Sequence, residues 1–276
     1  PDRSVDILHS IIEIKLDFLS ESVIGKVTHT FTPLGSSVSN LDLDAEDMVV
    51  RRVRLDGKDI PFFQSEEKLH MDLVRSFNWS DTLNVIINYT AKPRTGLYFF
   101  KPDSSYPERR LQAWTQGEET DNHHWVPIYD YPNERATFEC KLTVDKYLKA
   151  ISNGELVSQT DNEDGTHTFH WRENFPMVSY QISFAVGDYV KVEEKYEVIA
   201  DKKAQKMVLC LVDKLVPNQT TTNSHNTNTN SHNNITQNNK PTKNNNKPTK
   251  QKKKTKTHHK QKTKKKKKHP NKKKKK

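Results

Sequence analysis

Near the start of the chain, apolar and polar residues alternate one by one. Residues 12–18 read Ile-Glu-Ile-Lys-Leu-Asp-Phe, and residues 26–31 read Lys-Val-Thr-His-Thr-Phe. A period of two places successive side chains on opposite faces of a β-strand, so one face meets a core and the other meets water. The pattern therefore predicts two half-buried strands in the first part of the chain.

Similar alternation, or a short apolar run bounded by turn residues, recurs over the first 200 positions. The further predicted strands are 48–55, 69–73, 83–89, 97–100, 136–144, 150–156, 166–171 and 178–186. Asp56-Gly57 is a strong hairpin signal after the first of these. One helical turn is expected at 144–148, and no longer segment has the period of a helix. Many short strands separated by turn signals predict an all-β sandwich or open barrel.

The strand pattern ends near residue 200. Residues 204–212 fit either a last strand or a short helix, so 201–216 is interpreted as the end of the domain. Residues 217–276 consist almost entirely of Asn, Thr, Lys, His, Gln and Pro. Such a composition cannot bury enough apolar surface to offset chain entropy. The predicted organisation is a β domain over 1–200, a domain-end segment over 201–216 and a disordered tail over 217–276.

The charge of the chain is divided between its parts. The segment 217–276 holds 20 of the 45 basic residues and no acidic residue, which leaves 25 basic against 35 acidic residues in 1–216. The net charge of +10 therefore belongs to the tail, whereas the folded part has a net charge of −10. No specific nucleic-acid binding is expected of that acidic part. The tail is suited to non-specific contact with polyanions.

Two further classes of protein are disfavoured by composition. The two cysteines, Cys140 and Cys210, are too few for a disulfide framework and are expected to be isolated thiols. No apolar run approaches the roughly 20 residues of a membrane-spanning helix. No secretory leader is visible in a sequence that starts with Pro1 in place of Met.

The segment 112–139 has the densest aromatic content and carries a series of short motifs. They are Thr-Gln-Gly-Glu at 115–118, Val-Pro at 126–127, Asp-Tyr-Pro at 130–132 and Arg-Ala-Thr-Phe at 135–138. Other motifs flank them in order: Gly-Leu-Tyr-Phe at 96–99, Ser-Asn-Gly at 152–154, Pro-Met-Val-Ser-Tyr at 176–180 and Val-Gly-Asp-Tyr at 186–189. Together they resemble the landmarks of the aminopeptidase N family of zinc metallopeptidases over roughly residues 5–195. The order of the matches makes the resemblance specific.

This resemblance implies a saddle-like N-terminal β domain that packs on a thermolysin-like catalytic domain and sends one loop into the active site. Gln116 and Glu118 stand where the family places residues that contact substrate. The resemblance implies that Glu118 binds the α-ammonium of a peptide, together with a Glu of the catalytic domain. A carboxylate in a closed pocket makes short, charge-assisted bonds to such a group. The implied partner is therefore a peptide N-terminus.

The family's zinc chemistry needs residues that this sequence lacks. A His-Glu-x-x-His helix holds the ion and activates water, and a Gly-x-Met-Glu-Asn strand binds the substrate backbone. Neither motif occurs here. The resemblance therefore implies a chain that ends before the catalytic domain, where zinc is expected, and that carries no metal ligand or catalytic residue itself. No peptidase activity is expected from this chain alone.

Other residues of the motif segment receive structural interpretations. His123 and His124 are not predicted to bind metal, because adjacent side chains of an extended chain point to opposite sides and no third ligand has a recognised spacing. Asp130 is expected to accept backbone N–H bonds in a turn. Departure from the common family pattern at 121–124 leaves the substrate preference open. Four aromatic residues are predicted to pack and hold the loop: Trp114, Trp125, Tyr129 and Tyr131.

Two alternatives to the aminopeptidase interpretation remain. A transcription-initiation subunit resembles this family but has lost the zinc site, so the fold can serve as a non-catalytic scaffold. The second alternative is electrostatic binding of polyanions through the lysine-rich tail. An isolated domain of this family is also expected to expose an apolar surface that normally packs on the catalytic domain.

Overall fold

A computed structural model describes the backbone of residues 3–198 and 203–213, with side chains described up to residue 190. Nearly all regular secondary structure of the described part is strand, which confirms the predicted all-β class. Helix is limited there to two short 3-10 segments, Asn122–His124 and Ser179–Gln181. No described helix has the length and apolar character that crossing a membrane requires. The predicted disorder of 217–276 falls on residues outside the described ones.

The strands follow one another along the chain with short connections. In order they are β1 (Val5–Asp17), β2 (Ser22–Pro33), β3 (Val38–Asp44), β4 (Met48–Leu55), β5 (Lys58–Asp59), β6 (Phe62–Gln64), β7 (Lys68–Phe77), β8 (Leu83–Ala91), β9 (Leu97–Phe100), β10 (Gln112–Thr115), β11 (Ala136–Asp145), β12 (Lys149–Ser152), β13 (Glu155–Asp161), β14 (Thr166–Met177), β15 (Phe184–Gly187), β16 (Tyr189–Val198) and β17 (Lys203–Asp213). The strand–helix ambiguity at 204–212 is thus resolved as strand β17, which pairs with β16.

Eight strands form the largest sheet, in the order β13-β14-β11-β1-β2-β8-β4-β5. The pairing of β1 with β11 is parallel, and the neighbouring pairs β1–β2 and β11–β14 are antiparallel. A four-stranded sheet has the order β12-β15-β10-β9, and a three-stranded sheet has the order β3-β7-β6. These sheets stay open, and none of those described closes into a barrel.

The predicted alternation decides which side chains enter the core. On β1, Ile12, Ile14 and Leu16 are buried, whereas the residues between them are more exposed. The three-stranded sheet contributes further buried apolar residues on two strands: Leu41, Leu43, Leu69, Met71 and Leu73. Full burial of one such side chain contributes about 1.5–3 kcal/mol relative to exposure. Both sheets therefore share one hydrophobic core.

Two predicted strands have other structures. The predicted strand 150–156 is two strands, because Ser152 pairs with Phe184 in one sheet whereas Glu155 pairs with Arg172 in another. The chain changes sheets between these two residues. The predicted strand 178–186 begins instead as the second 3-10 segment, closed by an Ile182 N–H···O bond to Ser179 of 3.0 Å, and only then becomes β15.

The turn predictions divide into one success and one error. The Asp56-Gly57 hairpin is confirmed, since Leu55 pairs with Lys58 and both turn residues have positive φ. The helical turn predicted at 144–148 is wrong, because β11 continues to Asp145 and a tight turn follows. Cys140 is a free, buried thiol, as expected, whereas the side chain of Cys210 lies outside the described residues.

Candidate functional site

Gln116 and Glu118 lie on the loop that leaves β10. This strand pairs on one side with β9 and on the other with β15, so its end is held from both sides. The backbone N–H of Gln116 continues the pairing by donating to the carbonyl oxygen of Gly96 at 2.9 Å. Both side chains are exposed, and neither has a hydrogen-bond or ion-pair partner among the described residues. They are free to meet a ligand.

The two side chains border an open depression of about 410 Å³. Its lining residues are Thr115, Gln116, Gly117, Glu118, Asn153, Met177, Tyr180, Gln181 and Ser183. Three motifs that are far apart in the sequence therefore meet here, namely those at 115–118, 152–154 and 176–180. The spacing of the motifs in the sequence does not reveal this convergence, which results from the pairing of β10, β12 and β15 in one sheet.

Asn122 holds the motif loop against the second 3-10 segment. The Asn122 side chain is fully buried, and its Nδ2 donates to the carbonyl oxygens of Ser179 at 2.6 Å and Ile182 at 3.1 Å. Its Oδ1 accepts a bond from Nε1 of Trp125 at 2.8 Å. Sequence reasoning missed this role, because partners 57 and 60 residues away leave no local signal.

Two glycines allow neighbouring groups to approach the same loop closely. A Cβ at Gly117 would lie 2.6 Å from the side-chain oxygen and nitrogen of Asn122, well inside van der Waals contact. Gly96 has a φ of +76°, and a Cβ there would lie 1.9 Å from the carbonyl oxygen of Asp121. Neither position accepts a side chain without movement of its neighbours, and Gly117 itself lines the depression.

Side-chain to backbone bonds tie β15 to the motif loop and to the Ser-Asn-Gly motif. The hydroxyl of Thr115 accepts the N–H of Phe184 at 2.9 Å. Oδ1 of Asn153 accepts the N–H of Ser183 at 2.7 Å. Because these motif residues satisfy backbone donors next to the depression, their positions are set by hydrogen bonding as well as by packing.

The predicted packing role of the aromatic residues is visible in the ring contacts. Trp125 is fully buried, and its ring meets that of Phe184 edge to face at 5.3 Å between centroids. Tyr129 and Tyr131 contact each other at 5.4 Å. Trp114 is partly exposed and contacts two aromatic rings of β9, with a stacked arrangement on Phe100 and a tilted one on Tyr98.

His29 anchors the motif segment to the large sheet. Its Nε2 donates to the carbonyl oxygen of Pro127 at 2.9 Å, and its Nδ1 accepts from the hydroxyl of Ser10 at 2.8 Å. The ring is fully buried. Burial lowers the pKa of His29 to about 4, although the bond to Pro127 opposes this effect. His29 is therefore neutral at pH 7 and carries its proton on Nε2.

The predicted geometry of His123 and His124 is wrong. The two residues lie in the first 3-10 segment, where the chain is not extended, and their ring centroids are 4.4 Å apart. Glu46, distant in sequence, places a carboxylate oxygen beside them. Asp130 does accept a backbone N–H, as predicted, but the donor is His123 at 3.1 Å and not a residue of its own turn.

The depression at Gln116 and Glu118 does not fit the zinc ion that the resemblance implies. Among its lining residues one carboxylate is present, with no imidazole or thiolate. Zinc sites in proteins need three or four such ligands. The sequence also lacks His-Glu-x-x-His, so no catalytic step is assigned to these residues.

Comparison with known proteins identifies relatives that are similar to this chain. The transcription initiation factor TFIID subunit 2 of Gallus gallus is 23% identical over 81% of this chain and 22% of its own length. The leukotriene A-4 hydrolase of Xenopus laevis is 24% identical over 66% of this chain and 31% of its own length. The chain therefore spans under a third of either protein.

A similar fold occurs in a solved structure, that of a mutant M1 zinc metallopeptidase from Deinococcus radiodurans bound to a Tyr-Ser-Ala substrate. The TM-score is 0.63 at 20% identity, covering 74% of this chain and 47% of that one. In the family comparison, residues 7–181 match the description Peptidase M1 N-terminal domain. With the motifs gathered at one depression of an all-β fold, the chain belongs to the Peptidase M1 N-terminal domain family.

Proposed function

We propose that this chain is the substrate-recognition domain of a zinc aminopeptidase and that Gln116 and Glu118 bind the free amine of a peptide. The observation that carries the proposal is the exposure of these two unpartnered polar side chains in one depression. The substrate-bound metallopeptidase from Deinococcus radiodurans supports it, since its fold is similar.

The chemistry of Glu118 suits an amine ligand. An ionised carboxylate only accepts hydrogen bonds, whereas an α-ammonium offers three donors and a positive charge. Hydrogen bonds to charged groups contribute about 1.5–3 kcal/mol when water is excluded. Exposed pairs contribute about 0–1 kcal/mol, so binding by this chain alone is expected to be weak. A second domain that covers the depression would strengthen the bond by excluding water.

Release of the N-terminal residue requires zinc ligands and a water-activating carboxylate, which the proposed full-length protein would supply from a catalytic domain. This chain contributes discrimination, because an internal peptide bond has no ammonium to offer Glu118. We expect no peptidase activity from the chain alone. Zinc-dependent release of an amino acid from a chromogenic amide by the pure chain would refute this.

Amine recognition can be tested by NMR titration of the ¹⁵N-labelled chain with Tyr-Ser-Ala and with its N-acetylated form. The free peptide should shift the amide signals of Gly117 and Tyr180, and the acetylated peptide should not. Glu118→Gln should remove the difference, whereas Glu119→Gln, at the exposed neighbouring carboxylate, should keep it. Equal shifts from both peptides, or a normal response in Glu118→Gln, would contradict the proposal.

A second candidate function is that of a non-catalytic interaction module. It is favoured by the match to the TFIID subunit, which covers 81% of this chain. Under this alternative Gln116 and Glu118 have no amine ligand, and the protein that contains the chain releases no amino acid from chromogenic amides with or without zinc. Zinc-dependent release that is lost in Glu118→Gln would exclude the scaffold role as the sole function.

A further inference from the structure

A second polar cluster lies between the β3–β4 loop and the first 3-10 segment. The backbone N–H of Glu46 donates to the carbonyl oxygen of His123 at 3.1 Å. Beside it, Asp44 and Ile128 exchange two backbone hydrogen bonds of 2.8 and 3.0 Å. These bonds hold the Glu46 loop and the histidine pair together without help from the Glu46 side chain.

Three side chains of this cluster bring ligand-type atoms together. One such atom from each of Glu46, His123 and His124 lies within 4.8 Å of the other two. The distance from Nε2 of His123 to Oε2 of Glu46 is 3.7 Å, too long for a hydrogen bond. Ligands at about 2.0–2.2 Å from a tetrahedral zinc ion lie roughly 3.3–3.6 Å apart. Small side-chain movements would therefore close the three atoms around one ion.

The hydrogen bonds of both imidazoles leave Nε2 available for ligation. Nδ1 of His124 is 2.9 Å from a carboxylate oxygen of Asp47, and Nδ1 of His123 is 3.1 Å from one of Asp130. Because an ionised carboxylate only accepts, each Nδ1 must carry the proton. The lone pair of a neutral ring then lies on Nε2. A carboxylate behind each histidine is the arrangement that orients metal ligands in proteins.

The charges around the cluster favour a divalent cation. Four carboxylates face two basic side chains among the described residues, namely Asp44, Glu46, Asp47 and Asp130 against Lys68 and Arg94. With neutral imidazoles the local net charge is −2. One oxygen of Asp130, a residue only 1% exposed, has no hydrogen-bond partner. Burying a carboxylate is costly unless its charge is compensated, so a nearby cation would be stabilising.

The three side chains of the cluster are not sealed from solvent. The side chains of Glu46, His123 and His124 are 27%, 17% and 9% exposed, so an ion can reach the cluster from solvent.

We propose that Glu46, His123 and His124 form a binding site for a divalent transition-metal ion such as zinc, with Asp47 and Asp130 as positioning residues. Two imidazole nitrogens and one carboxylate suit zinc, cobalt, nickel or copper better than calcium or magnesium, which prefer oxygen ligands. Arg94 pairs with the other oxygen of Glu46 and leaves Oε2 for the ion. The bound ion joins the β3–β4 loop to the motif segment.

The test measures zinc binding by the full chain after dialysis against a competing chelator, with elemental analysis of the retained metal. The tail contains five histidines of its own, so the informative quantity is the difference between variants. Glu46→Gln and His124→Gln should each lose one zinc equivalent per chain, with a fall in affinity of at least about 10–100-fold. Cobalt should give the visible absorption of a low-coordinate site in the unaltered chain and not in Glu46→Gln or His124→Gln.

A matched control removes two other histidines. The double variant His9→Asn and His170→Asn removes two imidazole rings that lie beside Glu139 in the unaltered chain. The carboxylate of Glu139 is already paired with Arg172. This variant should keep the zinc equivalent that the cluster variants lose. Should His124→Gln fail to fold, the zinc stoichiometry of Glu46→Gln tests the proposal instead, since the Glu46 side chain is partly exposed and its replacement is expected to leave the fold intact. Unchanged zinc stoichiometry and affinity in a folded Glu46→Gln would overturn the proposal, and this outcome is independent of amine binding at Glu118.

Discussion

Acidification should unfold this domain partly through His29. The pKa of the buried ring is about 4, against an ordinary value of 6.5. Because the folded state disfavours the proton, stability is fully present above pH 6.5 and is lost as the pH falls toward 4. A full shift of this size corresponds to roughly 3 kcal/mol. By the same linkage, about 2 kcal/mol should already be lost between pH 7.5 and pH 5.

The assay is urea unfolding of the full chain at pH 7.5 and pH 5, followed by tryptophan fluorescence. His29→Gln cannot titrate, so its loss of stability between the two pH values should be about 2 kcal/mol smaller than that of the unaltered chain. This comparison of the two losses is unaffected by any cost of the substitution that is the same at both pH values. It also cancels the contributions of other titrating groups, such as His9 and His123, which are present in both proteins.

A control variant separates the titration of His29 from the cost of altering its surroundings. Ser10→Ala keeps the ring and removes only the hydroxyl that bonds to Nδ1, so its loss of stability between the two pH values should stay close to that of the unaltered chain. If His29→Gln retained the full pH dependence of the unaltered chain, the reasoning about a neutral, buried His29 would be refuted. The same result would mean that the Ser10–His29–Pro127 chain does not hold the motif segment in the way described.

Three other changes have expected outcomes. Asn122→Ala should lower the free energy of unfolding by about 3 kcal/mol in urea titrations, because two carbonyls and the Trp125 N–H lose their buried partner. Gly117→Ala should cost about 1–3 kcal/mol by overpacking against Asn122, whereas Gly35→Ala, whose Cβ would meet only an ordinary contact at 3.4 Å, should be nearly neutral in the same titration. Deletion of 217–276 removes 20 lysines and should abolish retention on a heparin column; retention that persists would place the polyanion contact in the acidic body.

The exposed surface expected of an isolated domain has candidates in the described part. Phe175 is 80% exposed at the end of β14, and the neighbouring edge strand β13 exposes Leu156 and Val157. An edge strand with unpaired backbone groups and apolar side chains is prone to association with other chains.

The errors in the sequence-based predictions share one physical cause. Alternation reports burial on a single strand, so it located β2, β4, β8 and the second half of β1. It cannot report a change of sheet, and for that reason 150–156 was predicted as one strand. The 3-10 segments were missed because they are held by bonds to distant residues, above all those from Asn122. Likewise, the histidine pair was judged from local geometry alone.

The sequence by itself determined the all-β class, the family resemblance and the positions of Gln116 and Glu118 on one loop, because period, turn residues and motif order are local properties. Only the tertiary structure decided what surrounds these residues. Strand pairing brings Asn153 and Tyr180 to the depression, and it carries Glu46 to His123. Such contacts depend on which strands become neighbours, and that choice is made by the packing of the whole core rather than by any single segment.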